Sequence, residues 1–162
     1  MQPASNEWAT EMPPGGEHRA NTRSVSSHTV TVIHHPSSAA VIRRELSAFL
    51  TQDASFATVG REFIENALTV ATELVGNAIR HADPLEGGVI HVAWRGNADG
   101  LEIRVTDGGS VEVPVLRRVP QDAVSGRGLA IVAALSTHWG VTPSDQGRCV
   151  WAWVGPATHA AS

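Results

Sequence analysis

The chain has no lysine and no tyrosine, and a single cysteine, Cys149. All 12 of its basic residues are therefore arginine. Without lysine there is no Walker-A phosphate loop and no eukaryotic-type protein kinase, since both set a lysine on the nucleotide phosphates. Schiff-base chemistry is excluded for the same reason. A lone thiol leaves no intramolecular disulfide and no thiolate-built zinc site, as a reducing compartment allows. No apolar run approaches membrane-spanning length, and Met1 to Val25 lacks the apolar stretch of a secretory signal. The eight histidines show no metal-ligand spacing, and no Gly-x-Ser-x-Gly elbow is present. A net charge of −4 argues against a protein that grips bare nucleic-acid phosphates. The expectation is a soluble, cytoplasmic chain with no direct hold on nucleic acid or membrane.

What is there suits one globular domain. The 162 residues are 42% apolar and 17% charged, enough for a single core and too little for two. Residues 1–23 are rich in Pro, Gly, Ser and Asn and read as a flexible arm. Residues 24–156 form the domain and 157–162 a short tail. A β-branched run, Thr29 to Ile33, predicts a first strand. Ser37 or Ser38 then caps a helix with Ala39, Ile42, Leu46, Phe49 and Leu50 on one face. A longer helix is expected from about Phe56 to Ala82, with Ile64, Ala67, Leu68, Ala71, Val75, Ala78 and Ala82 as its apolar stripe. Two alternating strands, Val89–Arg95 and Leu101–Thr106, are joined by a hairpin at Asn97–Gly100. Gly108–Gly126 has no clear periodicity and reads as a long loop of the functional or mobile kind. A third helix begins near Gly128 and ends before Gly140. The last strand, Arg148–Val154, puts Cys149, Trp151 and Trp153 on one face, with Trp94, Trp151 and Trp153 read as core packing. These parts make an α+β fold, a two-layer sandwich of a mostly antiparallel sheet with helices on one face.

Three groups of residues carry possible chemistry. On the long helix, Glu73, Asn77, Arg80 and His81 fall at i, i+4, i+7 and i+8 and project to one side. That stripe is either a solvated face or a site where a carboxamide meets a hard cation and a carboxylate polarises a hydroxyl. Asp107 shares parity with Leu101, Ile103 and Val105, so an acid points toward the buried face at the strand's end. Asp107-Gly108 also reads as a hairpin turn; in the other reading, the buried carboxylate needs a donor such as an adenine amine. Gly126-Arg127-Gly128-Leu129 precedes a helix, where free N–H groups and close backbone approach suit phosphate. It is no dinucleotide fingerprint, because the third glycine position is Ile131. His34-His35 reads as an exposed loop pair.

In order, Glu73-Leu-Val-Gly-Asn77-Ala-Ile-Arg-His81, Val-Thr-Asp107-Gly-Gly109 and Gly126-Arg-Gly128-Leu-Ala-Ile-Val resemble the three boxes of the GHKL superfamily, the histidine-kinase and gyrase type of ATPase. The anti-sigma-factor serine/threonine-protein kinase branch is the most similar part of it. The resemblance spans about Val25 to Val154. It implies a histidine kinase-like fold that binds ATP and Mg2+ without a phosphate-loop lysine. By resemblance, Asn77 coordinates the magnesium and Glu73 acts as general base for phosphoryl transfer. Asp107 takes the adenine amine, with Gly109 letting the base lie against the backbone. Gly126 and Gly128 close over the phosphates, Arg127 contacts them, and Arg80 and His81 line the same helical face.

Three positions depart from the family pattern. Val111 stands where a second glycine is expected, Gly147-Arg148 replaces a Gly-Thr at the last strand, and the loop carries Arg117-Arg118. The resemblance implies an anti-sigma factor that sequesters a sigma subunit, phosphorylates a serine on a STAS-type anti-anti-sigma antagonist, and forms homodimers. The alternative is a non-catalytic ATP-binding module that presents a surface to a protein partner.

Overall fold

A computed structural model describes residues 23–110 and 127–156. The arm up to residue 22, the tail, Val111, Arg117, Arg118, Gly126 and the side chain of Arg127 lie outside the described residues.

Five strands form one sheet: β1 (Ser26–Ile33), β2 (Val89–Asn97), β3 (Gly100–Asp107), β4 (His138–Ser144) and β5 (Gly147–Val154). Their order is β1-β2-β3-β5-β4, and every pairing is antiparallel. The helices α1 (Ser38–Gln52), α2 (Arg61–His81) and α3 (Arg127–Leu135) cover one face. Alternation explains the core. Ile90, Val92 and Trp94 of β2 and Leu101, Ile103 and Val105 of β3 are all fully buried. Val150, Ala152 and Val154 of β5 sit opposite Val105, Ile103 and Leu101 in register. Each large apolar side chain so buried contributes about 1.5–3 kcal/mol. α2 lies over this layer through Phe63, Ala67, Val70, Ala71, Leu74, Val75 and Ala78, and the alanines let its backbone approach the sheet.

Four expectations need correction. The long helix starts at Arg61, not near Phe56. Asp53 accepts the Ser55 N–H at 2.8 Å and caps a separate single turn, Ala54–Phe56, and Gly60 is extended before α2 begins. A fifth strand, β4, follows α3. Among the described residues it pairs only with β5, and this edge position tolerates Pro143. Trp94 is a core residue, but Trp151 and Trp153 point to the opposite face of the sheet. There Trp151 lies across Gly140, and Trp153 across Gly100. Finally, His34 is not a free loop residue, because its ring is held against the end of α2.

Candidate nucleotide site

The alternation of β3 carries Asp107 to the helix side along with Leu101, Ile103 and Val105, and leaves it 1% exposed. The chain beyond Asp107 does not turn back as a hairpin. Gly108 N–H donates to the Asp83 carbonyl at 2.8 Å, and Asp83 N–H donates to the Gly109 carbonyl at 2.9 Å. The end of β3 is thereby clamped to the segment leaving α2. A Cβ on Gly108 would stand 2.3 Å from the Pro84 carbonyl oxygen, so only glycine fits. Gly109 has φ +81°, a left-handed conformation that glycine adopts without strain.

The two oxygens of Asp107 have different surroundings. Oδ1 accepts the Gly109 N–H at 2.7 Å and lies 3.7 Å from Arg148 Nε on the neighbouring strand. Oδ2 is buried and has no hydrogen-bond partner among the described residues. Burial pushes the carboxyl above its ordinary range; the Gly109 N–H, Arg148 and His34 pull the other way, and Asp83 adds to the rise. An orphaned buried carboxylate oxygen is rare in folded proteins and suits a donor supplied by a ligand. Beside it is an open cleft of about 610 Å³ whose walls include Asp83, Gly108, Gly109, Val141, Gly147 and Arg148. His34 also acts electrostatically on Asp107. Its Nε2 lies 3.1 Å from the Ala78 carbonyl and 2.9 Å from that of Ala82, so the ring caps the C-terminal end of α2.

A second group lies at the contact of α2 with α3. Glu73 and Asn77 are one turn apart and partly buried, and they face Gly128 at the start of α3. A Cβ on Gly128 would stand 2.8 Å from Glu73 Oε2 and 3.1 Å from Asn77 Oδ1. Asn77 Nδ2 is buried without a partner among the described residues. Arg80 is exposed, and its Nη2 donates to Asn77 Oδ1 at 3.4 Å. His81 is exposed in the last turn. The structure thus brings Glu73, Asn77, Arg80 and Gly128 together, and separately Asp107 and Gly109. Glu73, Asn77 and Gly128 do not line the cleft beside Asp107.

A family model for the histidine kinase-like ATPase domain matches residues 34–153. The chain belongs to this family. No curated protein matches the chain. The matched stretch of this ATPase domain contains both groups, and family membership carries ATP binding with it. The residues present fit such a ligand. One orphaned acceptor stands at Asp107, and a glycine face without side chain meets a carboxylate and a carboxamide. Among the described residues no three His, Cys, Asp or Glu side chains gather as a metal site. A cation here would rely on one or two protein oxygens plus phosphate and water, which is how magnesium is ordinarily held. No helix among the described residues is long and apolar enough to cross a membrane.

Two residues that act on Asp107 carry little signal in the sequence. His34 has none beyond its place shortly before α1, whose N-cap serine makes no side-chain capping bond in the structure. Arg148 stands out there only as a lost hydroxyl, although antiparallel pairing sets it directly opposite Asp107.

Proposed function

We propose that this ATPase domain is a cytoplasmic serine kinase and anti-sigma factor acting by partner switching. The observation that carries the reading is the convergence of Glu73 Oε2 and Asn77 Oδ1 on the bare face of Gly128. A carboxylate and a carboxamide one turn apart, against the helix start that follows Gly126, suit the phosphate end of a nucleotide. Asp107 suits the base end, where Oδ2 accepts the adenine amine.

In this reading Asn77 holds magnesium through its carboxamide oxygen. Magnesium bound there supplies charge neutralisation for the phosphates. Glu73 accepts the proton of the incoming serine hydroxyl as its oxygen bonds to the terminal phosphorus and ADP leaves. Phosphoryl transfer asks chiefly for positioning and electrostatic stabilisation, so a small domain suffices. The protein partners are a sigma subunit and a STAS-type anti-anti-sigma protein, with the domain acting as a homodimer.

One observation favours the second reading, a non-catalytic ATP-binding module. Arg148 beside Asp107 gives the base pocket a cation where the family pattern places a hydroxyl. Radiolabelled ATP incubated with a panel of STAS-type proteins from the source organism separates the two. Label on a serine, lost in Glu73→Ala with ATP binding kept, supports the kinase. ATP binding without transfer to any panel member supports the module.

A further inference from the structure

Arg148 is the unexplained feature of the pocket. It is 9% exposed, lines the cleft, and faces Asp107 across a strand pair that fixes their separation. Its Nε stands 3.7 Å from Oδ1, the oxygen that already accepts the Gly109 N–H. Oδ2 is left as the carboxylate oxygen of Asp107 without a hydrogen-bond partner among the described residues. The other ionisable groups facing Asp107 are His34, from the segment after β1, and Asp83, from the segment after α2. Of the three, Arg148 is the one that brings a guanidinium.

We propose that Arg148 is a positioning residue that keeps the Asp107 carboxylate charged, with a single oxygen directed at a 6-aminopurine. The inference rests on the nucleotide reading of this site. Its chemistry comes from donors and acceptors. A carboxylate accepts from a 6-amino group and repels a 6-oxo group. A neutral carboxyl can instead donate to a 6-oxo group. A buried acid that loses its neighbouring cation moves toward the neutral form, because burial disfavours the charge. Arg148 therefore sets both the affinity for ATP and its preference over a 6-oxopurine nucleotide.

The test is calorimetric titration with ATP and with inosine triphosphate from pH 5.5 to pH 8.5, using wild type, Arg148→Met and Arg148→Lys, each checked as folded by circular dichroism. Arg148→Met should bind ATP roughly tenfold more weakly than wild type at the acid end, the worth of one charge-assisted hydrogen bond. That deficit should shrink toward pH 8.5, and the preference for ATP over inosine triphosphate should narrow in step. Arg148→Lys, which keeps a cation, should show the wild-type profile. Wild-type ATP binding with an unchanged pH profile in Arg148→Met would overturn the proposal and leave the nucleotide reading standing. Tighter ATP binding by Arg148→Met at every pH would overturn it too, by making Arg148 a competitor for Asp107. A folded wild type that binds neither nucleotide removes the nucleotide reading, and the proposal with it.

Discussion

Gly128→Ala separates the needs of the site from the needs of the fold. Gly128 has no positive φ and sits in the first turn of α3, so alanine meets no backbone strain there. Helix propensity favours alanine over glycine by up to about 1 kcal/mol. The added carbon would stand 2.8 Å from Glu73 Oε2 and 3.1 Å from Asn77 Oδ1, whereas carbon and oxygen settle at about 3.3–3.6 Å. Glu73 must therefore retreat by about half an ångström or more. Its carboxylate is the end of a flexible chain and can turn outward at little cost. The expected variant is as stable as wild type or slightly more so. A misplacement approaching an ångström at a reacting group costs about 10²-fold in rate. Phosphate transfer from ATP should fall by that order, while ATP affinity changes far less because Asp107 is untouched. Urea denaturation gives the stability, and turnover of radiolabelled ATP gives the rate. A loss of more than about 2 kcal/mol, or transfer at the wild-type rate, would refute the reasoning.

The same geometry sets three further outcomes. Burial raises the Asp107 carboxyl, so the folded chain keeps a proton that the unfolded chain releases at lower pH. That contribution is complete below the unfolded value and is lost as pH rises through the folded one. Wild type should therefore lose stability relative to Asp107→Asn from about pH 4 upward in urea denaturation, and a pH-independent difference would contradict this. Gly108→Ala would set a carbon 2.3 Å from the Pro84 carbonyl and 2.9 Å from that of Asp83, both rigid backbone atoms. It should cost about 1–3 kcal/mol in thermal denaturation, and a wild-type melting temperature would show that the clamp yields. His34→Ala uncovers the Ala78 and Ala82 carbonyls and should cost about 1 kcal/mol; no change would mean that water caps the helix equally well.

Legibility in the sequence depends on local pattern. β3 is legible because strict alternation puts Asp107 in phase with Leu101, Ile103 and Val105, and the structure keeps that phase. α2 is legible from its stripe, but its start is not, since the Asp53-capped turn continues the apolar content without continuing the helix. β5 misleads because both of its faces are apolar. Val150, Ala152 and Val154 compete with Cys149, Trp151 and Trp153, and only pairing with β3 decides which row enters the core. β4 carries a glycine, a proline and mostly half-exposed residues, so it has no period of its own. At the site, the spacing of Glu73 and Asn77 is visible, but their meeting with Gly128 is a contact between distant helices. The pairing of Asp107 with Arg148 is likewise a product of strand register, which no local motif encodes.

We propose that this domain binds ATP with its base at Asp107, and that Asn77 would hold the magnesium that neutralises the phosphates. Calorimetric titration of ATP with and without magnesium, on wild type, Asp107→Ala and Asn77→Ala, tests it most directly. Wild type should bind saturably, Asp107→Ala should lose binding, and Asn77→Ala should lose the magnesium dependence. Folded wild type that does not bind ATP, or Asp107→Ala that binds it as wild type does, would contradict the claim.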